Sequence, residues 1–242
     1  MSGVLLPGTA GPAEVLTGYT ASGAGGVGFA GAGLGPTKGS LVGSYTTIPT
    51  TASVTLTLPF TPPVGSSVVL AICGATSMGT ITPSGLGATW SVGRDVETQS
   101  PIFFATGVDG TSNTVTVDVT GSVASNQITV MAIMGTLAIN VTTGRTVSGT
   151  SMAVAFTSAA GNCVVINGST NIAGTAAISN SIFGNNAVSS IAFDSATAQL
   201  YLAGVVAVDL NVAAASQTYT LNSAITTTAA ALGMSAVAFT VS

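Results

Sequence analysis

The chain contains no histidine and only ten charged side chains, three Lys or Arg and seven Asp or Glu, in 242 residues. Charged residues make up 4% of it, where an ordinary soluble domain carries about 25%. Without histidine, the commonest general base and metal ligand are missing. A serine or cysteine nucleophile would depend on Lys38, which sits in a glycine-rich stretch. No enzymatic activity, metal or cofactor is expected.

Positive charge is especially scarce, because Lys38, Arg94 and Arg145 are the only cations. Specific nucleic-acid binders neutralise about six to ten phosphates, so nucleic acid is excluded as a partner, and an anionic membrane surface is disfavoured for the same reason. Aromatics are also few, at 5%, so the core must come from Val, Ile, Leu and Ala. The longest apolar stretch, Ile128–Val141, is broken by Thr129, Gly135, Thr136 and Asn140. It falls short of the roughly 18–20 residues of a spanning helix. Four Tyr and one Trp are too few for the aromatic girdles of a membrane barrel. The N-terminal Val4–Leu6 run is too short for a signal peptide. Membrane insertion is therefore not expected, and the chain is expected to remain in the cytoplasm that makes it, leaving only by lysis or a dedicated route. Cys73 and Cys163 are isolated within apolar runs, VVLAIC and NCVVI, and are expected to be buried thiols rather than a disulfide or metal pair.

What is present is Gly, Ala, Ser, Thr and Val, with a mean hydropathy of +0.69. A surface of Thr, Ser and Asn is wet, but it resists association weakly because it lacks charge. Such a surface suits a subunit that buries much of its area against neighbours. Residues 1–48 are glycine-rich and poor in strand patterning, and half of Ser22–Gly35 is glycine. That composition is too flexible to fold without a partner.

From about Thr50 the pattern is β. Val54–Phe60 alternates with period two, while Val68–Cys73 is continuously apolar, as expected of a strand buried on both faces. ATWSV around Trp90, Ile102–Val108, Thr114–Val119 and Ile128–Met134 follow at the spacing of an all-β sandwich. A similar series then recurs as Met152–Phe156, Cys163–Ile166, Ser190–Asp194, Tyr201–Val208, Thr218–Leu221 and Met234–Val241. The expected fold is all-β: two tandem β-sandwich domains, jelly-roll or immunoglobulin-like, at 49–143 and 144–242, after a Gly-rich arm at 1–48. The join is expected near Asn140–Ser148, and one large sandwich is the alternative. Helix is improbable anywhere except Ala229–Leu232.

Several motifs bear on chemistry. Gly23, Gly25 and Gly28 match G-x-G-x-x-G, but no strand precedes and no helix follows in the pattern, and the next acid after Glu14 is Asp95. Asp95 and Glu97 share a strand face, as paired carboxylates of a glycosidase would, yet a solvated loop with an Arg94–Asp95 pair is the better reading. Asp109–Asn113 has one carboxylate, too few for a calcium loop, and reads as a hairpin turn. The sequons at Asn140 and Asn167 matter only in a secretory pathway.

Residues 9–35 resemble a short repeat of bacteriophage tail-fibre and appendage proteins, with Glu14, Val15, Leu16, Gly18 and Tyr19 in its core. The departure is at Ala30–Gly33, where the repeat's usual tail is replaced. Residues 51–136 are similar to a β-sandwich module of phage minor tail proteins, through the Trp90 strand, IFFATGVDG, TVTVDV and the closing apolar strand. The resemblance implies a virion structural protein: a fibre, appendage, minor tail or decoration subunit, assembled in the host cytoplasm and released by lysis. It implies anchoring to other virion proteins through residues 1–48 and a homo-oligomer, with a trimer as the first expectation. The alternative is a carbohydrate-binding or adhesin module for host-surface glycan, with Trp90, Tyr201 and Tyr219 as the stacking residues. The resemblance carries no catalytic residue.

Overall fold

The structure is a computed structural model that describes residues 20–22, 28–30, 38–47, 53–74, 79–95, 100–120, 127–158, 162–172, 178–184, 190–194, 202–212, 215–225 and 230–242. These residues form strands and connecting turns, with no helix among them. Among the described residues, no helix is therefore long and apolar enough to cross a membrane.

The glycine-rich segment contributes a short antiparallel ribbon, β1 (Thr20–Ser22) on β2 (Gly28–Ala30). The next strands are β3 (Leu41–Thr47), β4 (Ser53–Thr57), β5 (Ser66–Cys73), β6 (Ile81–Gly85), β7 (Thr89–Arg94), β8 (Ile102–Thr106), β9 (Thr114–Val119) and β10 (Gln127–Met134). They make a five-stranded sheet in the order β3-β10-β5-β8-β7 and a three-stranded sheet in the order β4-β9-β6. The following eight are β11 (Leu137–Ser148), β12 (Ser151–Ser158), β13 (Asn162–Ile172), β14 (Ile178–Gly184), β15 (Ser190–Asp194), β16 (Leu202–Val212), β17 (Ala215–Ile225) and β18 (Ala230–Val241). Their sheets are β11-β18-β13-β16-β15 and β12-β17-β14. Adding eight to each strand number of the first pair of sheets gives the second pair, and all pairings are antiparallel.

Side-chain alternation sorts these strands into three apolar layers. On β5, Val68, Leu70 and Ile72 face one layer, and there they meet Leu56 of β4, Val115 and Val117 of β9 and Val130 of β10. Val69, Ala71 and Cys73 face the other way, toward Cys163 and Val165 of β13, Val206 and Val208 of β16 and Val237 and Phe239 of β18. The second five-stranded sheet turns its opposite face, Val164, Ile166, Val205, Ala207 and Ala236, toward Met152 and Val154 of β12 and Leu221 of β17. The two large sheets are thus stacked on each other, each covered on its far side by a three-stranded sheet. Double burial is why β5 and β10 read as unbroken apolar runs, while β4 and β9 alternate. The outward residues of β4 and β9 are polar, with Thr55 and Thr116 hydroxyls 3.2 Å apart and Ser53 donating to Asp118.

Two expectations need correcting. Strand β3 lies inside the segment read as an unpatterned arm. Its residues, LVGSYTT, are all half-buried, so an edge strand covered partly on both sides leaves no period-two signal. The segment Asn140–Ser148, where a join was expected, lies within β11, one strand with a bulge between Ile139 and Val141. β10 passes into β11 at Gly135–Thr136, where Gly135 has φ +107° and an added Cβ would lie 2.6 Å from Val241 Cγ1. Ser67 clamps it, donating from Oγ to the Gly135 carbonyl at 2.8 Å and accepting from Leu137 N at 3.1 Å. Thr136 and Ser242 exchange backbone hydrogen bonds of 2.9 Å in both directions. Finally, residues 230–232, where the one short helix was allowed, begin β18.

Candidate functional site: a buried polar seam between the large sheets

The face shared by the two five-stranded sheets is apolar along most of its length and polar at one end. Asn167 stands on β13 where the alternation Cys163, Val165 points into the shared layer, and it is fully buried. A buried amide must find partners across the interface. Its Nδ2 donates to the carbonyl oxygens of Ile72 at 2.8 Å and Pro101 at 3.0 Å, and its Oδ1 accepts from Cys73 Sγ at 2.7 Å. The Cys73 sulfur also lies 3.3 Å from the Gly168 carbonyl oxygen. Ser100 and Ser169, both buried, meet through their hydroxyls at 2.8 Å, and Ser100 Oγ donates to the Gly233 carbonyl at 2.9 Å. One half of the chain therefore holds the other through side chains that reach main-chain groups.

Gly204, on β16, completes the seam by absence of a side chain. A Cβ there would lie 2.5 Å from Cys73 Cβ, 2.7 Å from its Sγ and 2.8 Å from Gln127 Oε1. A strand glycine of this kind marks a close approach of backbone and neighbour. Gln127 is buried, its Nε2 donates to Thr129 Oγ1 at 3.4 Å, and its Oε1 has no partner. Desolvation pushes both thiols, Cys73 and Cys163, up to about 12. They are un-ionised at neutral pH and poor nucleophiles. The seam's described side chains make hydrogen bonds from one large sheet to the other, as a joint does.

A second buried polar pair lies in the outer layer of the second half. Tyr219 on β17 donates its hydroxyl hydrogen to Asp209 Oδ2 on β16 at 2.9 Å. Burial raises the Asp209 carboxyl above its usual range, only partly offset by that bond. Among the described residues, no group of three or more His, Cys, Asp or Glu is gathered as metal ligands.

The sequence-derived site residues are scattered. Trp90 is half-buried and packed against the first apolar layer, with Nε1 donating to the Gly85 carbonyl at 3.3 Å. Tyr219 is 3% exposed and its ring stacks on Phe156 at 5.8 Å, so it offers no face to a sugar. Tyr201, Glu97 and the proposed anchor residues Glu14, Val15, Leu16, Gly18 and Tyr19 lie outside the described residues. Asp95 is exposed at the end of β7. Arg94 Nη1 donates to Thr142 Oγ1 on β11 at 3.5 Å, tying the edges of the two large sheets. Asp109 accepts from Thr111 N at 2.8 Å within its own turn, and that bond lowers its carboxyl below the usual range; the turn is not the expected hairpin, because β8 and β9 on either side of it belong to different sheets. The sequon asparagine Asn167 is buried in the seam, and Asn140 sits exposed on β11.

Asn167, Ser100, Ser169 and Gly204 were not singled out from sequence as seam residues. Two signals could have found them: a polar residue inside the apolar run NCVVING, and a lone glycine inside YLAGVVAV. No family model matches the sequence, and no curated protein or solved structure matches it.

Proposed function

We propose that this chain is a structural subunit of a phage particle — a fibre, appendage, minor tail or decoration protein — that assembles with copies of itself. On this reading the two pairs of sheets are tandem β-sandwich repeats, and the glycine-rich segment before Leu41 is the arm that docks on other particle proteins. The observation that carries the reading is the doubled sheet order. Numbered within either half, the strands run 1-8-3-6-5 and 2-7-4. A jelly roll, the eight-stranded double Greek key of many capsid and lectin domains, runs 1-8-3-6 and 2-7-4-5. The halves differ from it only in that the fifth strand pairs with the sixth in the larger sheet. The argument from fold to role is one of analogy. It is joined by the chemistry of the chain: ten charges in 242 residues and hydroxyl-rich outer sheet faces, which suit a protein whose neighbours are other subunits. The strands that end the two large sheets, β3, β7, β11 and β15, would be the places for copies to pair.

The test is composition of particles. In lysates of cells producing the phage whose genome carries this gene, the protein should co-purify with intact particles through a density gradient, at a fixed copy number by mass spectrometry. Light scattering should give a homo-oligomer for the purified full chain. A stable monomer absent from purified particles contradicts the proposal.

A further inference from the structure

The two halves obey a local two-fold relation that the seam makes visible. Strand β3 slips register on β10 between Ala132 and Ile133, and β11 slips on β18 at Ala238 and Phe239. Matching these bulges makes Ala132 equivalent to Ala238 and Ile133 to Phe239, hence Gln127 to Gly233. Gln127 pairs with Cys73, and Gly233 pairs with Ser169, so Cys73 is equivalent to Ser169. Ser169 pairs with Gly204. Ala71 pairs with Ile102, and continuing that ladder past Pro101 sets Ser100 opposite Cys73. Ser100 is therefore the counterpart of Gly204.

The contacts across the stack follow this relation in pairs. Cys73 lies against Gly204, and its counterpart Ser169 lies against Ser100. Gln127 lies against Gly204, and its counterpart Gly233 lies against Ser100. The stack has the form of an isologous dimer interface built within one chain. Its symmetry is broken where Ser100 has a side chain and Gly204 has none, as it is at Gln127, whose counterpart is Gly233.

We propose that Gly204 is a steric key that makes the inner face of each large sheet accept the other half of the chain and refuse its like. When two first-half faces are brought together, Cys73 of one meets Ser100 of the other at the place Gly204 holds in the native stack. A Cβ there stands 2.5 Å from Cys73 Cβ, inside van der Waals contact. When two second-half faces are brought together, Ser169 meets Gly204, and the bonds of Ser100 to Ser169 and Gly233 have no equivalent. Only the unlike pairing seats Cys73 over the glycine and satisfies Ser169 at once. This is discrimination by a clash against the wrong partner joined to a bond with the right one. Copies of the chain then meet through other surfaces than these.

Gly204→Ser reproduces, inside one full-length chain, the contact that like-with-like pairing would make. Its thermal midpoint should fall by roughly 4–10 °C, as overpacking of a buried site does. Labelling of Cys73 and Cys163 by a maleimide, counted by mass spectrometry, should quicken about tenfold or more as the stack opens more often. Cys73→Gly in the same background removes two of the three atoms that clash, leaving Gln127 Oε1 at the end of a longer side chain, and should restore at least half of the midpoint. A Gly204→Ser protein with native midpoint and native labelling rate overturns the proposal. Where Gly204→Ser fails to fold, the double variant decides: recovery of the folded protein supports the key, and continued failure overturns it.

Discussion

Among the described residues, the hydroxyl of Tyr219 is the one hydrogen-bond partner of the Asp209 carboxylate: it donates to Oδ2 at 2.9 Å, while Oδ1 is buried without a partner. Asp209 extends the alternation Val205, Ala207 on β16, so its carboxylate lies toward the apolar layer lined by Leu221 and Met234. A carboxylate so placed is held against its solvation, and this sets the sign of its effect on stability.

Burial raises the Asp209 carboxyl above its ordinary value of 3.8. The folded state therefore binds the proton more tightly than the unfolded chain. Its favourable contribution is complete below the ordinary carboxylate range and is lost as pH rises through the raised folded value. Asp209→Asn keeps an acceptor for Tyr219 and removes the titration. In urea unfolding from pH 4 to 8, the native protein should lose stability relative to Asp209→Asn as pH rises. A difference between the two that does not change with pH contradicts this.

Tyr219→Phe leaves the carboxylate without any partner while preserving the stacking on Phe156. The expected loss is about 1–3 kcal/mol at neutral pH. In the Asp209→Asn background the same substitution should matter less, since a neutral amide is cheaper to leave unpaired. A double-mutant cycle by denaturant unfolding reads the difference.

Asn167 joins Ile72 and Pro101 of the first half to β13 of the second. Asn167→Ala removes both donors and the acceptor of the Cys73 thiol. It should lower stability by about 2–3 kcal/mol, with an unchanged slope against urea if the halves still unfold together. A loss under about half a kcal/mol would show that the seam is not a joint.

The turn from β6 to β7 holds Gly85 at φ +108°, Leu86 at +63° and Gly87 at +61°. Leu86 accepts this conformation because its side chain is buried in the first layer. At Gly85 an added Cβ would lie 2.3 Å from the Thr114 carbonyl oxygen, so both strain and overlap oppose a side chain. Gly85→Ala should cost about 2 kcal/mol or more, measurable as a lower thermal midpoint. Gly107→Ala has open space around its Cβ and should lose about 1 kcal/mol, from φ alone.

Much of the all-β character is legible in residue order, and particular strands show why. VVLAIC on β5 is continuously apolar because its two faces serve two layers, and TVTVDV on β9 alternates because it serves one. Some edge strands, β4, β7, β12 and β15, were legible, and others were hidden. LVGSYTT on β3 is half-buried throughout, and the β11 stretch NVTTGRTVS is polar because it borders solvent. ITPSG on β6 carries Pro83 on an edge strand, where no ladder hydrogen bond from its nitrogen is needed. The seam was hidden for another reason. Asn167, Ser100 and Gly204 are far apart in the chain and meet only when the two large sheets stack. A local pattern reports which faces are apolar but not which faces meet.

That stacking is the central claim, and calorimetry of the full chain tests it most directly. Val69, Met131, Val165, Val237 and Phe239 share one buried apolar layer, so neither half can lose its structure without exposing the face of the other. A single transition is predicted, with calorimetric and van't Hoff enthalpies in a ratio near one. Two separable transitions, each keeping its midpoint when Asn167 is replaced by Ala, would contradict it.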